Sequence, residues 1–234
     1  MAAANSRKED TMHTFYGKTF FSLLCLLLLS ASAVCAMPAN HAALMSDSEY
    51  KEAFEGYSAT LQEAKERLNA QEFAALEKGA QEEMAASVKE DMDMGETEAA
   101  AWVTAYAVGC GRVNRELRWD WLRRNPEGIQ GFYRIKSDAF DGWLAVEKGD
   151  EENLYAVEIY AIQKQEPYNS GELEGFGLLK GDTLEAVDKN NDECPVHITF
   201  KGDTASITES GAFKESGWLG AGVSFDADYT REKK

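Results

Sequence analysis

The stretch Leu154-Tyr155-Ala156-Val157-Glu158-Ile159-Tyr160-Ala161-Ile162 repeats every two residues, with Tyr155, Val157, Ile159 and Ala161 on one face and Ala156, Glu158, Tyr160 and Ile162 on the other. An extended chain points successive side chains to opposite sides, so this period predicts a strand and not a helix. The same reading extends outward from Gly131 to the C-terminus and predicts eight strands: Phe132 to Lys136, Trp143 to Glu147, Leu154 to Ile162, Phe176 to Leu179, Thr183 to Asp188, Val196 to Lys201, Ala205 to Thr208 and Val223 to Thr230. Turn chemistry separates them at Lys148-Gly149-Asp150, Lys180-Gly181-Asp182, Asn190-Asn191 and Lys201-Gly202-Asp203, because Gly and Asn tolerate the positive φ of tight hairpins. Eight antiparallel strands in a segment of this length either close into a small barrel or stack as a sandwich, both of which manage exposed edges, and the barrel-like meander is the preferred reading for residues 129–234.

Upstream the period changes. From Ser46 to about Arg124 the chain is free of proline and rich in Ala, Glu, Lys and Leu, the composition of helices. Ser46-Asp47-Ser48-Glu49 fits a capping box. Tyr50, Phe54, Tyr57, Leu61, Ala64 and Leu68 then recur at alternating spacings of four and three, on one helical face. A second helix is expected over Glu72 to Lys89, with Phe73, Leu76, Ala80, Met84 and Val88 inward. A third starts near Thr97, carries the stripe Trp102, Tyr106, Cys110, Val113, Leu117 and Trp121, and stops at Asn125-Pro126. Gly109 and Gly111 weaken it unless a close neighbour needs the room. The fold class is therefore α+β: a helical hairpin or bundle over residues 46–128, then the antiparallel meander.

The N-terminus reads as an address. Lys18 precedes an apolar run from Phe20 to Leu29 and the small residues Ala33-Val34-Cys35-Ala36, the layout of a secretory signal peptide. The run is too short for an anchor, which takes about 20 apolar residues. Cleavage after Ala36 is expected, with 37–45 as a flexible lead, a periplasmic or secreted location and no membrane insertion. Both Met1 and Met12 serve as candidate starts. Over 234 residues, 41 acidic side chains against 24 basic give a net charge of −17. Removal of residues 1–36 takes three basic and two acidic groups and leaves −18. Such a chain lacks the basic surface that nucleic-acid binding requires.

No catalytic constellation stands out. His13 lies in the leader, His41 in the lead segment, and His197 alternates with Val196 and Ile198, away from their face. Asp188, Asn190 and Asp192 have the first spacings of a calcium loop, but Glu193 occupies the glycine position and Thr199 the place of the bidentate Glu, so a hairpin turn is the better reading. No catalytic, cofactor-binding or metal-ligating residue is therefore assigned, and the protein is not read as an enzyme. Arg112, Arg115, Arg118, Arg123 and Arg124 cluster late in the third helix, and pairing with the 15 acidic groups of residues 47–98 is the preferred reading over an anion site. Trp119, Trp121, Phe132, Trp143 and Trp218 could line a ligand cavity, but aromatic residues at strand and helix spacings are usually core, and they are expected there. Cys110 and Cys194 are the two thiols left after export; a disulfide between them and two buried free thiols are both compatible with the sequence.

On Tyr57, Leu68-Asn69, Trp102, Tyr106 and Cys110 the helical half, over residues 46–115, resembles the N-terminal domain of secreted lysozyme-inhibitor LprI-like proteins. Earlier cysteines typical of those domains have no counterpart before Cys110 in the chain expected after cleavage. With Gly142-Trp143-Leu144, Cys194-Pro195-Val196, Gly217-Trp218 and Phe225 to Tyr229, the second half is similar to small β-domains of periplasmic proteins. The resemblance implies binding without catalysis, with a basic hydrolase such as lysozyme as partner. A calycin-like carrier of a small apolar or envelope-derived ligand is the alternative. Mass spectrometry of the exported protein is expected to give an N-terminus near Met37; a mature species that retains residues 20–30, or carries lipid on Cys35, would overturn the export reading.

Overall fold

The computed structural model describes residues 37–135, 137–166, 168–216 and 219–234, so the expected leader, Lys136 and Trp218 lie outside the described residues. Helices α1 (His41–Leu44), α2 (Ser48–Arg67), α3 (Ala70–Asp93) and α4 (Glu98–Arg124) precede strands β1 (Gly131–Ile135), β2 (Phe140–Lys148), β3 (Leu154–Gln163), β4 (Ser170–Lys180), β5 (Thr183–Asp188), β6 (Asn191–Lys201), β7 (Thr204–Glu209) and β8 (Ala227–Glu232), with a short α5 (Gly211–Glu215) before the last strand. The chain divides into two compact units, one ending at Asn114 and the other running Arg115–Lys234. That boundary falls inside α4, earlier than the expected one at residue 128.

In the helical unit, capping differs in detail from the sequence reading. Asp47, not Ser46, is the N-cap of α2, its Oδ1 accepting from the backbone N–H groups of Glu49 (3.0 Å) and Tyr50 (3.1 Å). A carboxylate also suits the positive end of the helix dipole better than a hydroxyl, and Ser46 Oγ instead donates to Ala43 O at 2.8 Å. Helix α3 starts two residues ahead of Glu72. Asn69 accepts from Glu72 N (3.0 Å), while the Glu72 carboxylate accepts from Asn69 N (3.2 Å), a reciprocal capping box.

Helices α2 and α4 meet around Tyr106, whose ring centroid lies 5.5–5.6 Å from those of Trp102, Tyr50, Phe54 and Tyr57. Burial raises its phenol pKa, with the Tyr50 hydroxyl and the charge of Tyr57 adding to the rise. Gly109 is buried against the other two helices: a Cβ there would stand 2.6 Å from Met84 Sδ and 2.8 Å from Tyr57 Cε2, whereas one at Gly111 meets nothing within 4 Å.

The eight strands form a closed barrel in the order β1-β2-β3-β4-β5-β6-β7-β8, every neighbour antiparallel. The barrel of the sequence reading is present. Inward positions run in register across the strands, Tyr133 facing Leu144, Leu144 facing Ile159 and Ile159 facing Leu173. Together with Leu184, Ile198, Phe200, Ile207 and Tyr229 they make one continuous buried core. An eight-stranded barrel has an interior that side chains can just fill, and this one is filled. Two of the two-residue hairpin loops begin at Gly181 (φ 68°) and Gly202 (φ 61°), where turn chemistry placed them. In the β2–β3 connection the positive φ falls on Asn153 (63°), not on Gly149.

Two strands depart from expectation. β4 starts at Ser170, six residues before the expected Phe176, because its inward positions are Gly171, Leu173, Gly175 and Gly177 and carry little apolar signal. Those glycines make room: a Cβ at Gly177 would stand 2.6 Å from Leu184 Cγ, and one at Gly171 2.3 Å from Leu219 Cδ2. β8 covers Ala227–Glu232 and not Val223 to Thr230. Val223 and Phe225 are buried but in irregular backbone, since Phe225 N donates to the Glu209 carboxylate and not to a neighbouring strand.

Replacing Gly109 by Ala is expected to destabilise the protein by about 1–3 kcal/mol through overpacking against Tyr57 and Met84, exceeding the helix-propensity gain of about 1 kcal/mol. At Gly111 the same change is expected to stabilise by up to about 1 kcal/mol. Urea unfolding of both variants decides: equal effects at the two positions would remove the close-approach argument.

Candidate functional site

Two constellations in the barrel unit gather polar groups that the fold does not plainly require. One lies on the outer face of the barrel, the other at its mouth.

The first is centred on Glu158, which the two-residue period puts on the outer face of β3, yet it is only 5% exposed. The last turns of α4 cover it. Trp119 and Leu122 pack on Phe132 and Ala145, with Trp143 alongside; the Trp119 and Trp143 ring centroids are 4.7 Å apart, and Trp143 stacks on Tyr160 at 4.3 Å. Arg118 reaches Glu147 at 2.7 Å and Glu158 Oε2 at 3.5 Å. Burial raises the Glu158 pKa, and this rise is opposed by Arg118 and Arg115 and by the indole N–H groups of Trp143 and Trp119. Neither indole reaches full hydrogen-bond geometry, and Glu158 Oε1 is likewise left without a partner. Nearby, Asp120 is held in the opposite sense: burial would raise its pKa, but hydrogen bonds from Lys234 (2.7 Å) and Arg124 (2.8 Å) bring it below the ordinary carboxylate value.

This arrangement revises the arginine reading. Of the five, Arg112 pairs with a helical acid, Glu83 at 3.0 Å. Arg118 pairs with Glu147 and Glu158, Arg123 with Glu232 at 3.2 Å, and Arg124 with Asp120. Arg115 lies over the Trp119 ring at 5.8 Å. The partners belong to the barrel unit because α4 beyond Asn114 belongs to it. For the same reason Trp121, expected on the inward stripe, is 38% exposed, while Trp119 and Leu122 are buried.

The second constellation is a cleft of about 270 Å³ lined by Glu209, Phe213, Lys214, Leu219, Gly220, Ala221, Gly222 and Val223. It arises from the excursion between β7 and β8. Ser210 caps α5 by accepting from Phe213 N (3.1 Å), and Phe213 and Phe225, 5.7 Å apart, stop the barrel mouth. The opposite wall is clamped by two side-chain amides: Asn169 Nδ2 donates to Ala221 O and Gln163 Nε2 to Gly222 O, both at 2.7 Å. Glu209, 7% exposed, spends Oε1 on Phe225 N and Ser224 Oγ. Lys214 at the lip is tied to Asp226 at 2.6 Å.

The remaining candidates have structural partners. His41 Nδ1 lies 2.6 Å from the Tyr50 hydroxyl, which is 3.1 Å from that of Tyr106; the segment expected to be flexible thus contributes a ring to the helical core. His197 sits between the buried Val196 and Ile198, opposite Glu185 and Thr208. Asp188 takes the backbone N–H of Asn190 on Oδ1 (2.8 Å) and that of Glu174 on Oδ2 (3.3 Å), the work of a turn residue. Among the described residues no group of three or more His, Cys, Asp or Glu could hold a metal ion, and no helix is long and apolar enough to cross a membrane. Cys110 and Cys194 are free thiols, in contact with Thr60 Oγ1 (3.8 Å) and Ala212 O (3.7 Å) respectively. Outward on β4, Phe176 and Leu178 are 54% and 46% exposed. Comparison with protein-family models, with curated proteins and with solved structures returns no match for this chain.

The two carboxylates predict opposite pH responses. Asp120, with a lowered folded pKa, contributes stability above the ordinary carboxylate range that is lost as pH falls through its folded pKa. Glu158, with a raised one, contributes stability below that range that is lost as pH rises through its folded pKa. Denaturant unfolding across pH 3–7 is expected to show the acid-side loss reduced in Asp120→Asn and the loss on rising pH reduced in Glu158→Gln. Glu158→Ala leaves Arg118 its closer partner Glu147 but opens a void beneath the indoles, and is expected to cost about 2 kcal/mol; wild-type profiles in all three variants would show that neither carboxylate matters.

Proposed function

We propose that this chain is an exported, acidic, non-enzymatic binding protein and that its partner is a basic hydrolase of the lysozyme type. The observation that carries this reading is the filled barrel. Tyr133, Phe200, Tyr229, Leu144 and Ile159 occupy the space in which a carrier of this architecture would hold its ligand, so recognition falls to the outside of the molecule. The surface available there has a net charge of −17 for the chain, which steers cationic partners toward it. Phe176 and Leu178, exposed beside Glu174 and Glu185 in the β4–β5 register, offer apolar area for short-range contact. The resemblance of the helical half to secreted lysozyme-inhibitor LprI-like proteins selects the hydrolase among basic partners.

The carrier reading survives only in reduced form. The mouth cleft of about 270 Å³ is smaller than the roughly 300–1,000 Å³ of ordinary small-molecule sites, too small for a lipid.

Titration of the exported protein into lysozyme, with peptidoglycan hydrolysis followed at low and at physiological salt, tests the proposal. Steering raises on-rates about 10- to 1,000-fold at low salt, but screening over about 8 Å removes much of it at physiological strength. Inhibition is expected to persist there through short-range contacts. Inhibition confined to low salt would reduce the interaction to nonspecific attraction between opposite charges.

A further inference from the structure

We infer that the mouth cleft binds a cation carried on a short aliphatic stem, an alkylammonium or alkylguanidinium such as the end of a lysyl or arginyl side chain. Three features point to that chemistry. Glu209 is buried, with its backbone N–H held by Asp226 Oδ1 at 2.6 Å and Oε1 committed to Phe225 N and Ser224 Oγ. Its Oε2 makes no hydrogen bond among the described residues. That oxygen is not closed off from the cleft that Glu209 lines, and an N⁺–H donor binds a carboxylate more strongly than a neutral donor does.

The charge balance agrees. Lys214, the cation at the lip, is drawn off by Asp226 at 2.6 Å, so Glu209, Asp226 and Lys214 together leave one negative charge unneutralised. The third feature is the wall. Phe213, Leu219, Ala221 and Val223 line the cleft and suit methylene groups, while a polar or anionic stem would lose its hydration there. A volume of about 270 Å³ fits a chain of a few carbons.

The site is also built in advance. Gly222 has φ +78°, and a Cβ on it would stand 2.6 Å from Gln163 Nε2, the atom that donates to Gly222 O. The wall is therefore held in place by Gln163 and Asn169 before any ligand arrives, which reduces the ordering cost of binding. The inference deepens the proposed function and rests on it only for the owner of the cation; the chemistry rests on the cleft.

The test titrates the exported chain, labelled with ¹⁵N, with n-butylammonium chloride, and with n-butanol and butyrate as neutral and anionic controls. Saturable shifts confined to Phe213, Lys214 and Gly220 to Val223 are expected for n-butylammonium at about millimolar Kd. Butanol and butyrate are expected to bind at least about tenfold more weakly, as a charged hydrogen bond is lost. Glu209→Gln keeps an oxygen for Phe225 N and is expected to weaken n-butylammonium by the same factor. Ala221→Trp fills the mouth, leaves Glu209 in place, and is expected to abolish binding at an unchanged Tm. Equal binding of butanol, undiminished binding by Glu209→Gln, or shifts spread over the acidic surface would overturn the site. Loss of lysozyme inhibition in both variants assigns the cation to the partner's side chain. A chain that binds n-butylammonium but leaves lysozyme active keeps the cleft and overturns the partner. Inhibition unchanged in both variants, without n-butylammonium shifts, keeps the partner and overturns the cleft.

Discussion

The pairing of the first strand with the last is the constraint on which the barrel depends. β1 meets β8 at Phe132–Glu232, Tyr133–Arg231, Arg134–Thr230 and Ile135–Tyr229, and without those pairs both strands would present open edges. The seam has its own polar seal. Arg231 Nη2 donates to the Tyr133 hydroxyl and to Gly128 O, each at 2.6 Å, with the guanidinium 5.1 Å from the centre of the Tyr133 ring. Closure at eight strands then sets the interior width. With tyrosines from β1 and β8, Phe200 from β6 and aliphatic residues from the other strands pointing in, the interior is packed with buried side chains.

The outside of the barrel is not uniform. Over β1–β3 the end of α4 acts as a cover: Trp119 and Leu122 bury themselves on Phe132 and Ala145, worth about 2 kcal/mol each by area. Arg118 supplies the counter-charge that lets Glu158 lie beneath them. The C-terminus is drawn into the same cover, as Lys234 N donates to Arg123 O at 3.2 Å and its ammonium reaches Asp120. β4 is left bare on its outer side, and the mouth is stopped by α5 and Phe225 with a small charged cleft beside them. The covered face is occupied with stability; the bare strand and the cleft stay accessible.

Much of this was legible locally. The alternation at Tyr155 to Ala161 located β3 and its inward face, and Gly181 and Gly202 located two hairpins, because backbone sterics act over a few residues. Helix faces at Tyr50, Tyr57 and Ala64 followed from spacing for the same reason. The first half of β4 was hidden because glycine at an inward position leaves no hydrophobic mark. The cleft was hidden more deeply, since it is formed by irregular backbone from 219 to 226, where the alternation of Val223 and Phe225 imitates a strand.

By itself the sequence determined the class of each half, the order of its elements and the net acidity, all properties of short windows or of composition. Only the tertiary structure decided which outward residues would be covered. Glu158 and Tyr160 share a strand face, and nothing within β3 says that Trp119 and Arg118 will lie over the first. Nothing within α4 says that its inward stripe must pass from Leu117 to Trp119 and Leu122 and leave Trp121 outside. Periodicity records that a side chain has a buried side; which element buries it depends on contacts between residues far apart in the chain, and those exist only once the barrel has closed.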